Sequence, residues 1–464
     1  MYIAIMGYGV VGSGVAEVIN KNHDSIVRKS TQSELEIKYI LDRKDFPGDP
    51  NEKLFIKDFN IILNDPEVKV VVETMGGLHP AYEFVSACLK AGKSVVTSNK
   101  ELVAAKGCEL LGYAVAMRRE LHALPELSGE EYATSAVIRR ELEGMGYAVR
   151  AVHTGLIADT GGSFPAIALR ADFDALPISE RTGLPFAATC GRMHACGHDG
   201  HTAMLLAAAK HFSRTKLSRN VRLIFQFGEE GEGGAAKMIE GGALDGVSEI
   251  YAFHLCPELE KGRFATNTET LFAGVMEFDV HITGRSSHCA SPEAGADAIA
   301  VAARFITEGK RTAERKGGAL MHTGRVTGGH ARNIVADDVL LECSFRYREK
   351  SRLPEVRAEL AELAAKLDGE FGTHTSVAVK SIYPPLVNDR ACAEKMKRVT
   401  GAGYIPGRYT AEDFAFYAER VPGCMCWLGI RDDKHTSPLH SDTFDFDENV
   451  LAKGIEAFVM LAEE

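Results

Sequence analysis

Residues 192–206 of the sequence, RMHACGHDGHTAMLL, combine a cysteine and three histidines with the beginning of an apolar segment. The apolar segment is typical of a buried helix, and a glycine-containing loop precedes it. Cys196 and His198 stand two residues apart in this loop, so both can face one ion. Imidazole and thiolate are ligands of Zn²⁺ and related divalent ions. The stretch contains no redox C-x-x-C motif and therefore indicates a metal site in front of a helix.

Predicted strands on either side of this stretch end in polar residues. The segments AIALRADFDALP, VRLIFQFGEEGEGG and EIYAFHLCP are typical of buried strands followed by loops. Open α/β sheets bind ligands beyond the carboxyl ends of their strands, so these residues can converge on one cleft. Each of them alone is also consistent with a capping or loop residue, but dispersed ligands are typical of catalytic metal sites. The residues are Asp172, Asp174, Glu229, Glu230, His254 and, late in the chain, His440.

The N-terminal segment YIAIMGYGVVGSGVAEVI follows the pattern of a strand, a glycine-rich turn and a helix. Gly7, Gly9 and Gly12 have the G-x-G-x-x-G spacing of a dinucleotide-binding turn, in which a helix N-terminus receives the phosphates. The next strand, EIKYILDRK, ends at Asp42, and Arg43 beside this acid leaves NAD and NADP both open. Further strands alternate with helices, which predicts a doubly wound parallel sheet.

The motifs GYGVVGSGV, VVETMGG and AGKSVVTSNKELVAAKG together resemble the nucleotide-binding domain of homoserine dehydrogenase over about residues 1–113. The resemblance implies a bound NAD(P) and a Lys100 that lies near substrate and nicotinamide. It stops before the substrate-binding and dimerisation region that carries the other catalytic residues of that family. We therefore expect a partial nucleotide-binding unit rather than a complete dehydrogenase.

A second series of motifs runs in order through the remaining chain and includes RRELHALPELSGEE, MHACGHDGHTAMLLAAA, FQFGEEGEGGA, AEDFAFY and LHSDTFDFDE. Over residues 108–464 the chain is similar to metal-dependent amidohydrolases such as hippurate hydrolase, N-acetyldiaminopimelate deacetylase and the auxin-conjugate hydrolases. The resemblance implies Glu229 as general base and Asp174 as an acid that orients a ligating or catalytic group. It leaves open whether His201 acts behind the ligands. One or two ions of Mn²⁺, Zn²⁺ or Co²⁺ are implied, with the ligands Cys196, His198, Glu230, His254 and His440.

Between residues 276 and 383 the pattern changes to strand, helix, two strands, helix and strand, which predicts an inserted ferredoxin-like domain. In the resembling family this insert is a lid and a dimer contact. The resemblance implies that His288 and Asn333 reach the substrate and that Arg346 receives a substrate carboxylate. The predicted chain is thus α/β throughout: a Rossmann-like unit at 1–113, a catalytic domain at 114–275 and 384–464, and the lid at 276–383.

The composition argues against a nucleic-acid-binding protein and against a membrane-spanning protein. Of the 464 residues, 45% are apolar and 25% charged, and the formal net charge is −11 without a run of Lys or Arg, which argues against nucleic acid as a partner. The sequence contains no apolar stretch long enough to cross a membrane. The ten cysteines are scattered, which favours a reducing cytoplasm over a disulfide framework. The expected partners are a small-molecule substrate and a second copy of the chain, bound through the lid.

The leading hypothesis is a cytoplasmic metal-dependent hydrolase that cleaves N-acyl amino acids of the hippurate, N-acetyl or indoleacetyl type. Two alternatives belong to other classes. In one, the chain is an NAD(P)-dependent oxidoreductase that resembles homoserine dehydrogenase. In the other, the N-terminal unit is a non-catalytic nucleotide-binding module or a fusion remnant.

Overall fold

The computed structural model describes residues 2–22, 36–77, 79–98, 100–231 and 233–464, and the side chains of Lys90 and of residues 100–108 lie outside this description. The chain forms two compact units, Met1–Glu109 and Leu110–Glu464. Each unit has its own sheet and its own hydrophobic core.

The first unit contains β1 (Tyr2–Met6), β2 (Glu36–Leu41), β3 (Phe55–Ile56), β4 (Val68–Glu73) and β5 (Ser94–Thr97), together with α1 (Val10–Lys21), α2 (Phe59–Asn64) and α3 (Ala81–Lys90). The described strands form a parallel sheet in the order β3-β2-β1-β4-β5. Ile3 and Ile5 pack on one face of β1, and Ala4 and Met6 pack on the other. Burial on both faces is typical of a central parallel strand. The predicted doubly wound parallel sheet is confirmed.

The helix α4 (Lys100–His122) contains the boundary between the two units. Ala114, Met117 and Leu121 recur at helical spacing and are buried in the core of the second unit. The junction between the two units is therefore helical and not an irregular linker. Among the described residues, no helix combines the length and the apolar character needed to cross a membrane.

The second unit is built on a mixed sheet of eight described strands: β6 (Val149–Val152), β7 (Gly155–Asp159), β8 (Ser163–Asp172), β9 (Arg219–Gln226), β10 (Val247–Glu260), β11 (Phe264–Thr266), β18 (Gly403–Tyr404) and β19 (Gly423–Arg431). Their order is β18-β11-β19-β10-β8-β9-β7-β6, and the central strands β19, β10, β8 and β9 are parallel. The helices of this layer are α5 (Tyr132–Gly144), α6 (His198–Phe212), α7 (Gly234–Glu240), α10 (Arg390–Thr400), α11 (Ala415–Ala418) and α12 (Leu451–Glu463).

A smaller antiparallel sheet in the order β14-β15-β13-β16 follows in the same unit. Its elements are β13 (Gly274–Thr283), α8 (Ala298–Glu314), β14 (Ala319–Gly328), β15 (Asp338–Tyr347), α9 (Arg352–Phe371) and β16 (His374–Tyr383). Phe278 and Val280 of β13 pack with Phe305 of α8 and Leu360 of α9 in a separate core. The strand order is ferredoxin-like. The short strands β12 (Thr270–Phe272) and β17 (Leu386–Val387) pair beside it.

Candidate active site

The carboxyl ends of the parallel strands bring the predicted polar residues together. Asp172 is the last residue of β8, the loop after β9 carries Glu229 and Glu230, and His254 lies within β10. This edge of a parallel sheet is where open α/β folds bind ligands. The convergence predicted from the sequence is therefore present in the structure.

The helix α6 begins at His198 because Gly197 turns the chain there. Gly197 has φ +86°, which an L side chain rarely adopts, and a Cβ on it would lie 3.0 Å from Leu255 Cδ1. From His198 to Ala209 every residue of α6 is buried, so the apolar run that predicted this helix lies entirely inside the unit. The first turn of the helix thus directs His198 and His201 toward the strand ends.

Two groups of ligand atoms meet at Cys196. The ligand atoms of Cys196, His198 and His254 lie within 4.8 Å of one another, and so do those of Cys196, Glu230 and His440. Cys196 Sγ lies 3.5 Å from His254 Nε2, and His440 Nε2 lies 2.9 Å from Glu230 Oε1. The structure therefore brings all five predicted ligands together as two triads that share one sulfur atom.

His440 reaches this place although it is distant in sequence. Its backbone N–H donates to the carbonyl oxygen of Ala195 over 2.8 Å, which fixes it beside Cys196. Its φ of +61° is uncommon for a residue with a side chain. Backbone strain of this kind is found at functional sites, where surrounding contacts hold it.

The two buried histidines each turn one ring nitrogen toward the triad that they form with Cys196. His254 Nδ1 donates to the Leu255 carbonyl over 2.8 Å, and His198 Nδ1 lies 3.0 Å from the Asp174 carbonyl and 3.1 Å from its carboxylate. Within the described residues, His198 Nε2 is buried without a hydrogen-bond partner. Burial lowers the pKa of His198, but Asp172 and Asp174 outweigh burial and raise it to about 10. An imidazole whose other nitrogen is held by an acid or a carbonyl is the usual metal ligand, so these donors fit a divalent ion.

The acids around Cys196 create an excess of negative charge. Burial raises the pKa of the Cys196 thiol, and the carboxylates of Glu230 and Glu229 raise it further. Burial and the neighbouring Glu412 raise the pKa of Glu229 well above its ordinary value. A divalent cation relieves this excess and favours the thiolate, which again fits the donor set.

Asp174 joins the ligands to one another. Its carboxylate accepts hydrogen bonds from the Glu230 backbone N–H over 2.9 Å and from Ser128 Oγ over 2.6 Å, and it faces His198 Nδ1. Asp174 is buried, yet His198 and Ser128 hold its pKa below the ordinary value. One carboxylate thus orients a histidine of one triad and the backbone of a glutamate in the other.

His201 lies behind the ligands. The Leu255 N–H donates to His201 Nε2 over 3.0 Å, so His201 Nδ1 carries the proton and donates to Asp172 Oδ1 over 2.6 Å. Asp172, His198 and His201 are close enough to form a further ligand group. Because both nitrogens of His201 are already bonded, we interpret it as a support for Asp172.

A cavity of about 940 Å³ opens in front of the two triads. The main sheet and its loops contribute Cys196, Glu229, His254 and His440 to its wall. The side that faces them comes from the small sheet, which contributes residues of β13, β15 and β16. These include Val275, Glu277, Arg346, Lys380 and Tyr383.

Of the three predicted substrate-binding residues, the structure places one in the cavity wall and two away from it. Arg346 lines the cavity and is partly buried, with Nη2 3.9 Å from Glu277 Oε1. His288 and Asn333 are exposed on the small domain and are not among the described residues that line the cavity. Within one chain, therefore, the structure does not bring His288 and Asn333 to the site.

The glycine-rich turn of the first unit has the expected close packing. Gly7 has φ +93°, and a Cβ on Gly12 would lie 2.0 Å from the Gly7 carbonyl oxygen. Gly9 precedes α1, and a Cβ on it would meet nothing within 4 Å, so the backbone is open to a ligand there. Asp42 Oδ2 accepts the Tyr8 N–H over 2.7 Å. The turn fits a nucleotide phosphate, while the Lys100 side chain lies outside the described residues.

Comparison with protein-family models matches residues 168–464 to peptidase family M20/M25/M40. The chain belongs to this family. The M20 enzyme is a metal-dependent amidohydrolase, as the second resemblance predicted. Residues 7–123 match the NAD binding domain of homoserine dehydrogenase, so the first resemblance is confirmed as well.

Curated relatives of the M20 enzyme include an N-acetyl-L-cysteine deacetylase of Bacillus subtilis, 35% identical over 78% of this chain and 90% of its own length. An N-acetyldiaminopimelate deacetylase of Oenococcus oeni is 33% identical over 74% of this chain and 95% of its own. An IAA-amino acid hydrolase of Arabidopsis thaliana is 32% identical over 83% of this chain and 92% of its own. The crystal structure of a dinuclear metal-binding M20 peptidase from Bacillus subtilis superposes with a TM-score of 0.69 at 32% identity, covering 76% of this chain and 97% of that one.

Sequence reasoning missed a buried charge network in the M20 enzyme. Arg170 Nη1 lies 2.6 Å from Asp172 Oδ2, and Arg170 Nη2 lies 2.8 Å from Asp413 Oδ1 and 3.1 Å from Glu412 Oε1. The Asp413 N–H also donates to Glu229 Oε1 over 3.4 Å. The segments AIALRADFDALP and AEDFAFY contain these residues, and their charge inside apolar segments was the available signal. The network anchors Asp172 and borders Glu229.

Proposed function

We propose that the enzyme hydrolyses the amide bond of N-acyl amino acids with Glu229 as general base. The observation that carries this proposal is the meeting of two ligand triads at Cys196 in a cavity whose wall also contains Glu229. A bound Mn²⁺, Zn²⁺ or Co²⁺ ion would supply Lewis acidity toward the amide carbonyl and the attacking water.

Glu229 is positioned to move the proton in this reaction. It is adjacent to the ligand Glu230, and its carboxylate accepts the Asp413 N–H over 3.4 Å. A base held next to a ligand can take the proton of the attacking water and return it to the leaving nitrogen. Burial and the neighbouring Glu412 raise the pKa of Glu229, and the positive charge of a bound divalent ion would oppose this rise and favour the carboxylate form that a base needs.

Arg346 defines the class of substrate. Its guanidinium is the cation that β15 of the small sheet contributes to the cavity, and it suits the α-carboxylate of an amino acid. The names of the relatives describe substrates of this class: N-acetyl-L-cysteine, N-acetyldiaminopimelate and conjugates of IAA with amino acids. An N-acyl amino acid has the amide and the carboxylate that the cavity is equipped to bind.

The test is release of free amino acid from N-acetyl, N-benzoyl and indoleacetyl amino acids, with and without a chelator. We expect chelator-sensitive hydrolysis that Mn²⁺, Zn²⁺ or Co²⁺ restores and that Glu229→Gln abolishes. Glu240→Gln, on the exposed part of α7, is the matched control and should remain active. Failure of every metal-loaded sample to hydrolyse any of the amides contradicts the proposal.

We further infer that two copies associate through the small domain. The apolar side chains of Ile299, Val326 and Ile334 are 51%, 57% and 41% exposed there. His288 and Asn333 lie on the same domain, and association of two copies is the route by which they approach a substrate. Val326→Asp should convert a dimer to a monomer in size-exclusion chromatography with light scattering, whereas Val377→Asp on β16 should not. A wild-type monomer contradicts this inference.

A second candidate function concerns the first unit, which we propose binds NAD(P) without turning it over. The open backbone at Gly9 and the anion-binding end of α1 support it. Calorimetric titration with NAD⁺ and NADP⁺ should detect binding that Gly9→Val removes. Nucleotide reduction in the presence of homoserine would favour the oxidoreductase alternative, and absence of binding would favour a fusion remnant.

We also infer a reducing cytoplasm as the compartment. Cys196 must remain a thiol or thiolate to act as a ligand, and the described cysteines are unpaired. Fractionation of cells that express the tagged chain would test this, and recovery from an oxidising compartment contradicts it.

A further inference from the structure

Arg408 is a cation in the cavity wall that the chemistry of amide cleavage does not use. Its guanidinium carbon lies 4.5 Å from the centroid of the Trp427 ring. The Trp427 ring centroid lies 5.0 Å from that of the ligand His254 and 4.8 Å from that of Phe272. Arg408 is therefore separated from one of the triads by a single aromatic ring.

The position of this cation is fixed by backbone and side-chain contacts. The Arg408 N–H donates to the Leu271 carbonyl over 3.0 Å, and the Ala273 N–H donates to the Arg408 carbonyl over 3.1 Å. Arg408 Nη2 donates to Cys256 Sγ over 3.3 Å, and Nη1 lies 3.0 Å from Glu258 Oε2. A guanidinium held in this way, with the side chain 23% exposed, loses little freedom when it binds an anion.

The partner of Arg408 is the more exposed member of the ion pair, although its Oε2 also accepts from Cys256 Sγ over 3.4 Å. The Glu258 side chain is 57% exposed, and Glu258 is not among the described residues that line the cavity. A guanidinium has five N–H donors, so a carboxylate that enters the cavity can bind beside Glu258 or replace it.

The charges of the cavity wall away from the ligands also favour an anion. The wall carries the cations Arg346, Lys380 and Arg408 and, besides the site carboxylates, the acids Glu277 and Glu412. Glu412 Oε1 already lies 3.1 Å from Arg170 Nη2, and Lys380 Nζ lies 3.0 Å from Asp279 Oδ2, so the two guanidiniums are the cations considered for the substrate. Arg346 comes from β15 of the small sheet, whereas Arg408 comes from the loop before α11, so the two guanidiniums belong to different walls. A substrate with a single carboxylate leaves one of them without an anionic partner from the substrate.

We propose that Arg408 is a specificity-determining residue that receives a second carboxylate of the substrate. The preferred substrates are then N-acyl amino acids with two carboxylates, one bound by Arg346 and one by Arg408. This inference rests on the proposed amide hydrolysis. The second carboxylate comes either from the acyl chain or from the amino-acid side chain.

Kinetic measurements on matched pairs of substrates distinguish the two sources. N-succinyl-L-alanine is compared with N-butyryl-L-alanine, and N-acetyl-L-glutamate with N-acetyl-L-glutamine. We expect kcat/KM to favour the dicarboxylate of one pair, and Arg408→Met to lower that ratio by about tenfold to a hundredfold, as expected for the loss of a charged hydrogen bond. Arg408→Lys should recover part of the ratio.

The chain provides a matched control for disturbance of the loop. Arg348 lies over Tyr409 with its guanidinium carbon 4.6 Å from the ring centroid, and it donates to the Gly407 carbonyl over 2.6 Å, but it does not line the cavity. Arg348→Met should leave the substrate ratio as it is. Equal losses for both members of each pair in Arg408→Met would assign Arg408 a merely structural role and overturn the proposal.

Binding can be measured without turnover because Trp427 is the only tryptophan of the chain. Its fluorescence should respond to the preferred dicarboxylate at lower concentration than to the neutral analogue, and Arg408→Met should remove this difference. If the enzyme binds the dicarboxylate more tightly than the neutral analogue but hydrolyses neither, amide cleavage is contradicted and the proposed role of Arg408 stands. Hydrolysis with equal affinity for both members of each pair overturns the role of Arg408 and keeps amide cleavage.

Discussion

His201 links Asp172 to Leu255: it donates from Nδ1 to the Asp172 carboxylate over 2.6 Å and accepts the Leu255 N–H at Nε2 over 3.0 Å. Asp172 ends β8 and Leu255 lies in β10, so one imidazole connects two neighbouring strands directly beneath the ligands. Neither ring nitrogen is left for an ion.

This geometry predicts different outcomes for two histidines of one helical turn. His201→Gln should retain the metal content of the wild type and lose activity, because Asp172 loses a partner that positions it. His198→Gln should lose metal, since a bare nitrogen of one triad is removed. Elemental analysis beside kcat measurements checks both. Loss of metal in His201→Gln would show that His201 is itself a ligand.

Sharing of Cys196 between the triads predicts unequal losses of metal. We propose that each triad holds one ion, so Cys196→Ala should lower the content of both, because its sulfur belongs to both groups. His440→Ala, which touches one group, should lower the content of one ion. Mass spectrometry of the native holoenzyme counts the ions. Equal retention of metal in the two variants argues against the sharing.

Substitution of Asp174 should weaken metal binding although no ligand is removed. Asp174→Asn weakens the contacts that orient His198 and the Glu230 backbone, so we expect about tenfold to a hundredfold weaker metal binding. Competition with a chelator measures the change. Asp245→Asn, an exposed aspartate, is the control and should bind metal like the wild type.

Glu229→Gln should separate catalysis from metal binding. The variant keeps the ligand Glu230 but has no carboxylate to take a proton, so kcat should fall by about 10²–10⁴-fold. Elemental analysis should find metal at the wild-type level. Metal loss on the scale of Glu230→Gln would mean that Glu229 is a ligand instead of a base.

The free energy of unfolding should depend on pH because of His122, a buried histidine outside the triads. Burial lowers the pKa of His122, but hydrogen bonds with Asp199 and Glu180 outweigh burial and raise it from 6.5 to about 9. The protonated form is thus favoured by folding, and its contribution of about 3 kcal/mol is complete below pH 6.5 and is lost as pH rises through 9.

The difference in thermal midpoint between wild type and His122→Gln isolates this contribution from other titrating groups. The difference should be largest below pH 6.5 and should shrink as pH passes about 9. His322→Gln, at an exposed position of β14, should give no such trend. A difference that is constant across this range contradicts the assignment to His122.

The family resemblance implied the ligands, the base Glu229 and the orienting acid Asp174, whereas the strand and helix pattern alone predicted only that these polar residues can converge on one cleft. The sharing of Cys196 could not be predicted, since spacing does not show which ligands face the same ion. The function of His201 stayed open for a similar reason. It depends on the orientation of a ring toward the Leu255 backbone.

Contacts between segments that are distant in the chain could not be predicted from the sequence. Arg170 and Asp413 are 243 residues apart, and only the folded sheet brings them to 2.8 Å. The sequence does not single out Arg408, because its position over Trp427 depends on an isolated β-bridge between Arg408 and Phe272. For His288 and Asn333 the resemblance implied a contact with the substrate, but within one chain the structure does not place either residue among the described residues of the cavity wall.

The sulfur of Cys196 also has a consequence for the fate of the protein under stress. A bound divalent cation favours the thiolate of Cys196 over the thiol, and the thiolate is the form of cysteine that peroxide oxidises. Among the described residues both triads depend on this one atom, so a single oxygen transferred to it disables them together. Peroxide damage to a population of molecules should therefore divide it into fully competent and fully inactive members, without a half-working class.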